Sequence, residues 1–191
     1  MPIETEIYKG HVINIEHDPD PLDPRRDYDN LTEFHCLSSR YYLGEHQHRS
    51  AADLDDVVRE AKKQGDMVLR LYAYVHSGTY LSLEPFYGKL PQGHAEFDSG
   101  CCGVVIVRRE KMLKEFGRKR WTAALRRRAY EIAQSDVEVF TSYLNGSVYG
   151  YVVDDHVESC WGFYSIEEAV AEATGVIDHM VIGSAGVMGS R

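Results

Sequence analysis

The chain has 191 residues, 43% of them hydrophobic and 27% charged, with a formal net charge of −9. That length and mixture suit a globular chain with its own core and exclude collagenous, low-complexity or disulfide-stapled designs. No apolar run approaches the roughly 20 residues of a membrane-spanning helix. The acidic start, MPIETEIYKG, is unlike a signal peptide, so a cytoplasmic protein is expected.

Residues 5–15 place apolar and aromatic side chains near alternate positions, which predicts a strand with a bulge or turn at Gly10. Glu16 to Asn30, EHDPDPLDPRRDYDN, is a loop, because its prolines and aspartates oppose regular structure. Strand character resumes over 32–42, and LGEHQHRS reads as a polar connection. Ser50-Ala51-Ala52-Asp53 resembles a capping box and opens a short helix to about Gln64, closed by Gly65. MVLRLYAYV, residues 67–75, alternates as a strand. His76-Ser77-Gly78 is the turn, and TYLSLEPF returns as its hairpin partner.

After the Gly/Pro loop GKLPQGHAE comes FDSGCCGVVIVRR, Phe97 to Arg109. Cys102, Val104 and Ile106 are expected on one face, and Cys101, Gly103, Val105 and Val107 on the other. Apolar residues on both faces predict a central strand. A brief helix over about 110–116 ends at Gly117. The clearest helix spans about 118–144, with Trp121, Leu125, Ala129, Ile132, Ala133, Val137, Phe140 and Leu144 at three- and four-residue steps. Residues 147–164 form a hairpin turning near Asp154-Asp155. Ser165-Ile166-Glu167-Glu168 is a full capping box for a last helix with Ile166, Val170, Ala173 and Ile177 inward.

These elements predict an α+β fold: a mostly antiparallel sheet with about four helices on one face, the long helix (about 118–144) packed on the sheet. A single domain is expected over 1–182, with a flexible Gly/Ser-rich tail over 183–191.

Five features invite chemistry. His17, Asp18, Asp29, His76 and Asp98 lie at strand ends or in loops, and such residues can hold a divalent metal and activate a water. The same residue types also suit turn chemistry. Asp98-Ser99-Gly100 with His76-Ser77-Gly78 offers a Ser, His and Asp set, without a G-x-S-x-G elbow. His46-Gln47-His48 is an H-x-H pair in a polar loop, without a matching third ligand.

Fourth, Arg108 to Arg128 holds ten basic residues against two acidic ones. Within it, Arg118, Lys119, Arg120, Arg126, Arg127 and Arg128 crowd the expected start of the long helix. That placement opposes the helix dipole. The segment can engage a phosphate backbone, an acidic protein, or the chain's own acidic loop at 16–29. Fifth, Tyr149, Tyr151, Trp161 and Phe163 on the late hairpin are either cross-strand packing or an aromatic surface for a protein partner. The cysteines, Cys36, Cys101, Cys102 and Cys160, form no CxxC and read as small free thiols.

The segments DYDNLTEF, HSG, FDSG, SYLNGSVYGYVV and SCWGFYS together resemble a family of bacteriophage and mobile-element proteins without an assigned activity. The resemblance covers about Glu16 to Ala173 and implies a phage-derived gene acting in the host cytoplasm. It supplies no activity, cofactor or catalytic residue. The leading expectation is a non-enzymatic binding protein that engages a host or phage macromolecule, with inhibition of a host system as one form. A protein partner is expected first and nucleic acid second, through 108–128, with no membrane partner. The alternative is a small metal-dependent hydrolase or nuclease built on the His/Asp cluster, and a virion component is a third reading.

Overall fold

The computed structural model describes residues 1–37, 41–90 and 98–187, with side chains of the last helix described as far as 181. In chain order the elements are β1 (Glu4–Tyr8), β2 (His11–His17), β3 (Thr32–Cys36), β4 (His46–Gln47), α1 (Ala51–Gln64), β5 (Met67–Val75), β6 (Thr79–Ser82), β7 (Ser99–Val107), α2 (Arg109–Glu115), α3 (Ala123–Leu144), β8 (Tyr149–Val153), β9 (Glu158–Phe163) and α4 (Ile166–Val187). This is the α+β fold expected, with four helices and two mostly antiparallel sheets among the described residues. The residues expected to form one domain group into two compact units, Met1–Leu22 with Gly146–Arg191, and Asp23–Asn145. The Gly/Ser-rich segment expected as a tail overlaps the end of α4, and 188–191 lie outside the described residues. So do Phe97 and most of the loop before it.

The first unit is a four-stranded antiparallel sheet in the order β1-β2-β8-β9. Lys9 and Gly10 both take positive φ, 50° and 87°, so the turn expected at Gly10 is a two-residue hairpin loop. α4 lies on one face of the sheet, where Ala169, Ala173 and Ile177 meet Ile13, Ile15, Tyr151 and Val153. Two of the three helix residues at this seam are alanines, which permits close approach.

The second unit is a five-stranded sheet in the order β4-β3-β7-β5-β6. All of its pairs are antiparallel except β3 with β4. β7 is central, as its two apolar faces require. Helices cover both faces, not one. Val105 and Val107 of β7 join Phe34, Leu71 and α3 residues Leu125, Ala129, Ala133, Val137 and Phe140. Val104 and Ile106 join Leu54 and Ala61 of α1. The cause is the alternation of β7 itself: each apolar face needs a helix against it.

Two expectations about this unit change. The β5–β7 register slips between Leu71, opposite Gly103, and Tyr72, opposite Cys101. Cys102 is thus an extra residue, a bulge, and it packs with the Val105 and Val107 cluster instead of sharing a face with Val104. The long helix begins at Ala123, not 118, because Gly117 (φ 57°) ends the preceding turn and the Thr122 side chain accepts from Leu125 N as N-cap.

At the bulge, a Cβ on Gly103 would collide with the His35 carbonyl and approach the Cys36 Cα to 2.9 Å. Backbone atoms of a central strand cannot swing aside. Gly103→Ala is expected to destabilise the protein by about 2–3 kcal/mol, measured by urea unfolding. An unchanged midpoint would show that β3 and β7 can separate there.

Candidate functional site

His17 and Asp18 lie in the first unit. His17 ends β2 and stacks on Tyr149 with ring centroids 5.2 Å apart. Asp18 Oδ1 accepts from Asp20 N at 3.0 Å, an Asx turn. Asp29, His76 and Asp98 lie in the second unit, where Asp29 is exposed in its loop. Of these three, His76 and Asp98 meet, with Nδ1 and Oδ2 3.1 Å apart on an exposed turn. The turn is held by Asn145 at the end of α3, which accepts from Thr79 N and donates to Thr79 O.

The aromatic set divides by burial. Tyr151 is buried, and Tyr149 and Phe163 pack against the same core, while Trp161 is exposed. The slip in register between Tyr149 and Gly150 places Trp161 opposite Gly150, where a Cβ would collide with the indole. Three of the four residues expected to form an aromatic surface are thus packing residues, because α4 needs that face of the sheet.

The basic segment divides as well. Arg108 is bound to Glu33 and Asp66, and Lys111 lies 3.8 Å from Glu33. Arg118, Lys119 and Arg120 occupy the turn before α3, and Arg126, Arg127 and Arg128 its first turns, all six exposed. Arg127 and Arg128 approach Glu131 on their own helix, at 3.7 and 3.4 Å. Within the second unit no described carboxylate pairs with Arg118, Lys119, Arg120 or Arg126. In the part of the acidic loop that lies in this unit, Asp23 pairs with Arg26. Arg25 of the same loop is buried against Glu45, Thr32 and Asp136.

The closest gathering of ligand-type side chains among the described residues is elsewhere, at Glu33, His35 and His46. Each offers one donor atom, and these atoms lie within 4.8 Å of one another. Glu33 and His35 share a face of β3 by period two. The parallel pairing sets His46 opposite His35, with the imidazoles stacked at 4.5 Å. His48 continues the edge: its backbone N donates to Cys36 O, and its Nε2 lies 2.9 Å from His35 Nδ1. The H-x-H pair is therefore part of a sheet edge and has a third imidazole beside it, in place of the polar loop expected.

The charges around this cluster are ordered. Arg108 donates from Nε to Glu33 Oε2 at 2.8 Å and from Nη1 to Asp66 Oδ2 at 3.0 Å. Asp66 also accepts from Arg109 N, which starts α2. The adjacent His35 imidazole and then the Arg108 guanidinium hold the Glu33 acid down at about 2, so it is a carboxylate at neutral pH. His35 Nε2 lies 3.6 Å from Glu33, at the outer edge of hydrogen-bond reach. Burial first, and then His35, push His46 and His48 below the usual imidazole value. Both therefore favour the neutral form that ligates metals.

Comparison with protein-family models, with curated proteins and with solved structures gave no match.

Proposed function

We propose that this chain is a non-enzymatic binding protein of bacteriophage type, acting in the host cytoplasm, whose basic run from Arg118 to Arg128 docks an acidic protein surface. The observation that carries this is the set of six exposed cations, four of them without a described carboxylate partner in their own unit. Like charges crowded at the start of a helix, with no acidic residue in its first turn, repel one another until an anionic surface covers them. The net charge of −9 disfavours unspecific nucleic-acid binding. Inhibition of a host system is the form of activity this reading expects.

The purified full chain should retain a protein from host lysate at low salt, identified by mass spectrometry and then confirmed with the purified partner. The triple variant Arg118→Glu, Lys119→Glu, Arg120→Glu should weaken that complex by about tenfold or more, mostly through slower association. Retention of nucleic acid alone would replace the acidic-protein reading. Retention of neither would end the binding reading.

A further inference from the structure

His35 combines burial with an unsatisfied polar atom. Its side chain is 7% exposed, and Nε2 has no hydrogen-bond partner among the described residues. Leaving such an atom unpaired costs about 1–3 kcal/mol, so its surroundings call for an explanation. Nδ1 already faces His48 Nε2 at 2.9 Å. With the proton on Nδ1 donated to His48, Nε2 carries a lone pair on the side of the Glu33 carboxylate. In that tautomer two acceptors face each other at 3.6 Å, an arrangement that a cation between them satisfies.

We propose that Glu33, His35 and His46 form a binding site for one divalent transition-metal ion of the zinc class, which ties the edge strand β4 to β3. Two imidazoles and a carboxylate are a donor set that suits zinc. Zinc–nitrogen bonds of about 2.0–2.1 Å place neighbouring donors of a tetrahedron about 3.3 Å apart. The three donor atoms, within 4.8 Å of one another, therefore need to close only modestly. His46 is exposed and sits on a two-residue strand, so it is the donor free to move.

The outer shell fits the same role. A metal-bound imidazole is typically oriented by a hydrogen bond at its second nitrogen, and His48 supplies one. Glu33 is oriented by Arg108, whose charge is balanced by Asp66, of which 4% of the side chain is exposed. The ion would thus have three protein donors and an open position on the solvent side, beside His46. This inference is independent of the basic docking surface and stands or falls separately.

The test uses the untagged full chain, stripped with chelator, then titrated with zinc chloride by calorimetry and with cobalt(II) followed by visible absorption. One zinc per chain is expected, with cobalt bands that saturate at one equivalent and are displaced by zinc. His46→Ala removes an exposed side chain, and Glu33→Gln keeps the shape of a partly buried one. Each variant, once circular dichroism shows it folded, should bind zinc about a hundredfold more weakly, and His48→Ala about tenfold more weakly. His156→Ala, in the turn between β8 and β9, should bind as the parent does. No stoichiometric uptake by the parent, or parental affinity in both folded His46→Ala and Glu33→Gln, overturns the site.

Discussion

Arg25→Met is expected to lower the unfolding free energy by about 3 kcal/mol, seen as an earlier urea midpoint with an unchanged slope. Arg25 comes from the Pro- and Asp-rich loop, yet 2% of its side chain is exposed. It donates from Nε and Nη2 to the two carboxylate oxygens of Glu45, at 3.1 and 2.8 Å, and from Nη2 to Thr32 O at 2.7 Å. Nη1 reaches Thr32 Oγ1 at 3.1 Å and Asp136 Oδ2 at 3.4 Å. Removing the guanidinium leaves Glu45 without its cation and takes a donor from Thr32 O, while Thr32 Oγ1 still donates to Asp136 Oδ2. Breaking one side of a buried pair costs about 3–5 kcal/mol. The low end applies because Glu45 and Asp136 keep some access to water, with side chains 19% and 24% exposed. Methionine retains the apolar stem, which isolates the loss of the charged head. A change below about 1 kcal/mol would mean that Glu45 and Asp136 are rehydrated without cost.

Phe34→Ala should cost more, about 4 kcal/mol, and its effect should be coupled to that of Arg25. Phe34 is fully buried on the α3 side of β3, edge-on to Phe140 with centroids 5.9 Å apart. The Arg25 guanidinium carbon lies 4.1 Å from the centre of the same ring. Loss of the ring leaves a cavity in the larger core and also removes the face on which the cation rests. The double variant should therefore be less destabilised than the two single effects summed, by about 0.5–2 kcal/mol. Strict additivity, measured by the same urea series, would show that the ring and the cation stabilise the fold separately.

Much of this architecture follows from local rules. The apolar faces of Val104 to Val107 predicted a central strand, and the spacing from Leu125 to Leu144 predicted the helix over it. Ser50 and Asp53 make the reciprocal cap expected of them, each side chain accepting from the other's backbone N. What escaped prediction depends on contacts distant in the chain. Nothing near Arg25 in sequence marks Glu45 and Asp136 as its partners. The slip at Cys102 is a property of two strands together, so strict alternation assigned that residue to the wrong face. The Glu33, His35 and His46 cluster was hidden for a related reason. β4 has two residues and no strand signature, and its pairing with β3 is parallel. A signal was present, however. Glu33 and His35, like His46 and His48, are ligand-type residues two apart, which on any strand share a face.

β3 is a pentapeptide read on two sides. Phe34 and Cys36 face the larger core, Glu33 and His35 face the donor cluster, and Thr32 joins the Arg25 network. No position in it is idle. Ordinarily a protein can drift in its packing while its polar surface stays constant, or the reverse, because different segments carry the two. Here one short strand carries both, so a change of residue at any of its five positions is felt either as a loss of packing or as a displaced polar group.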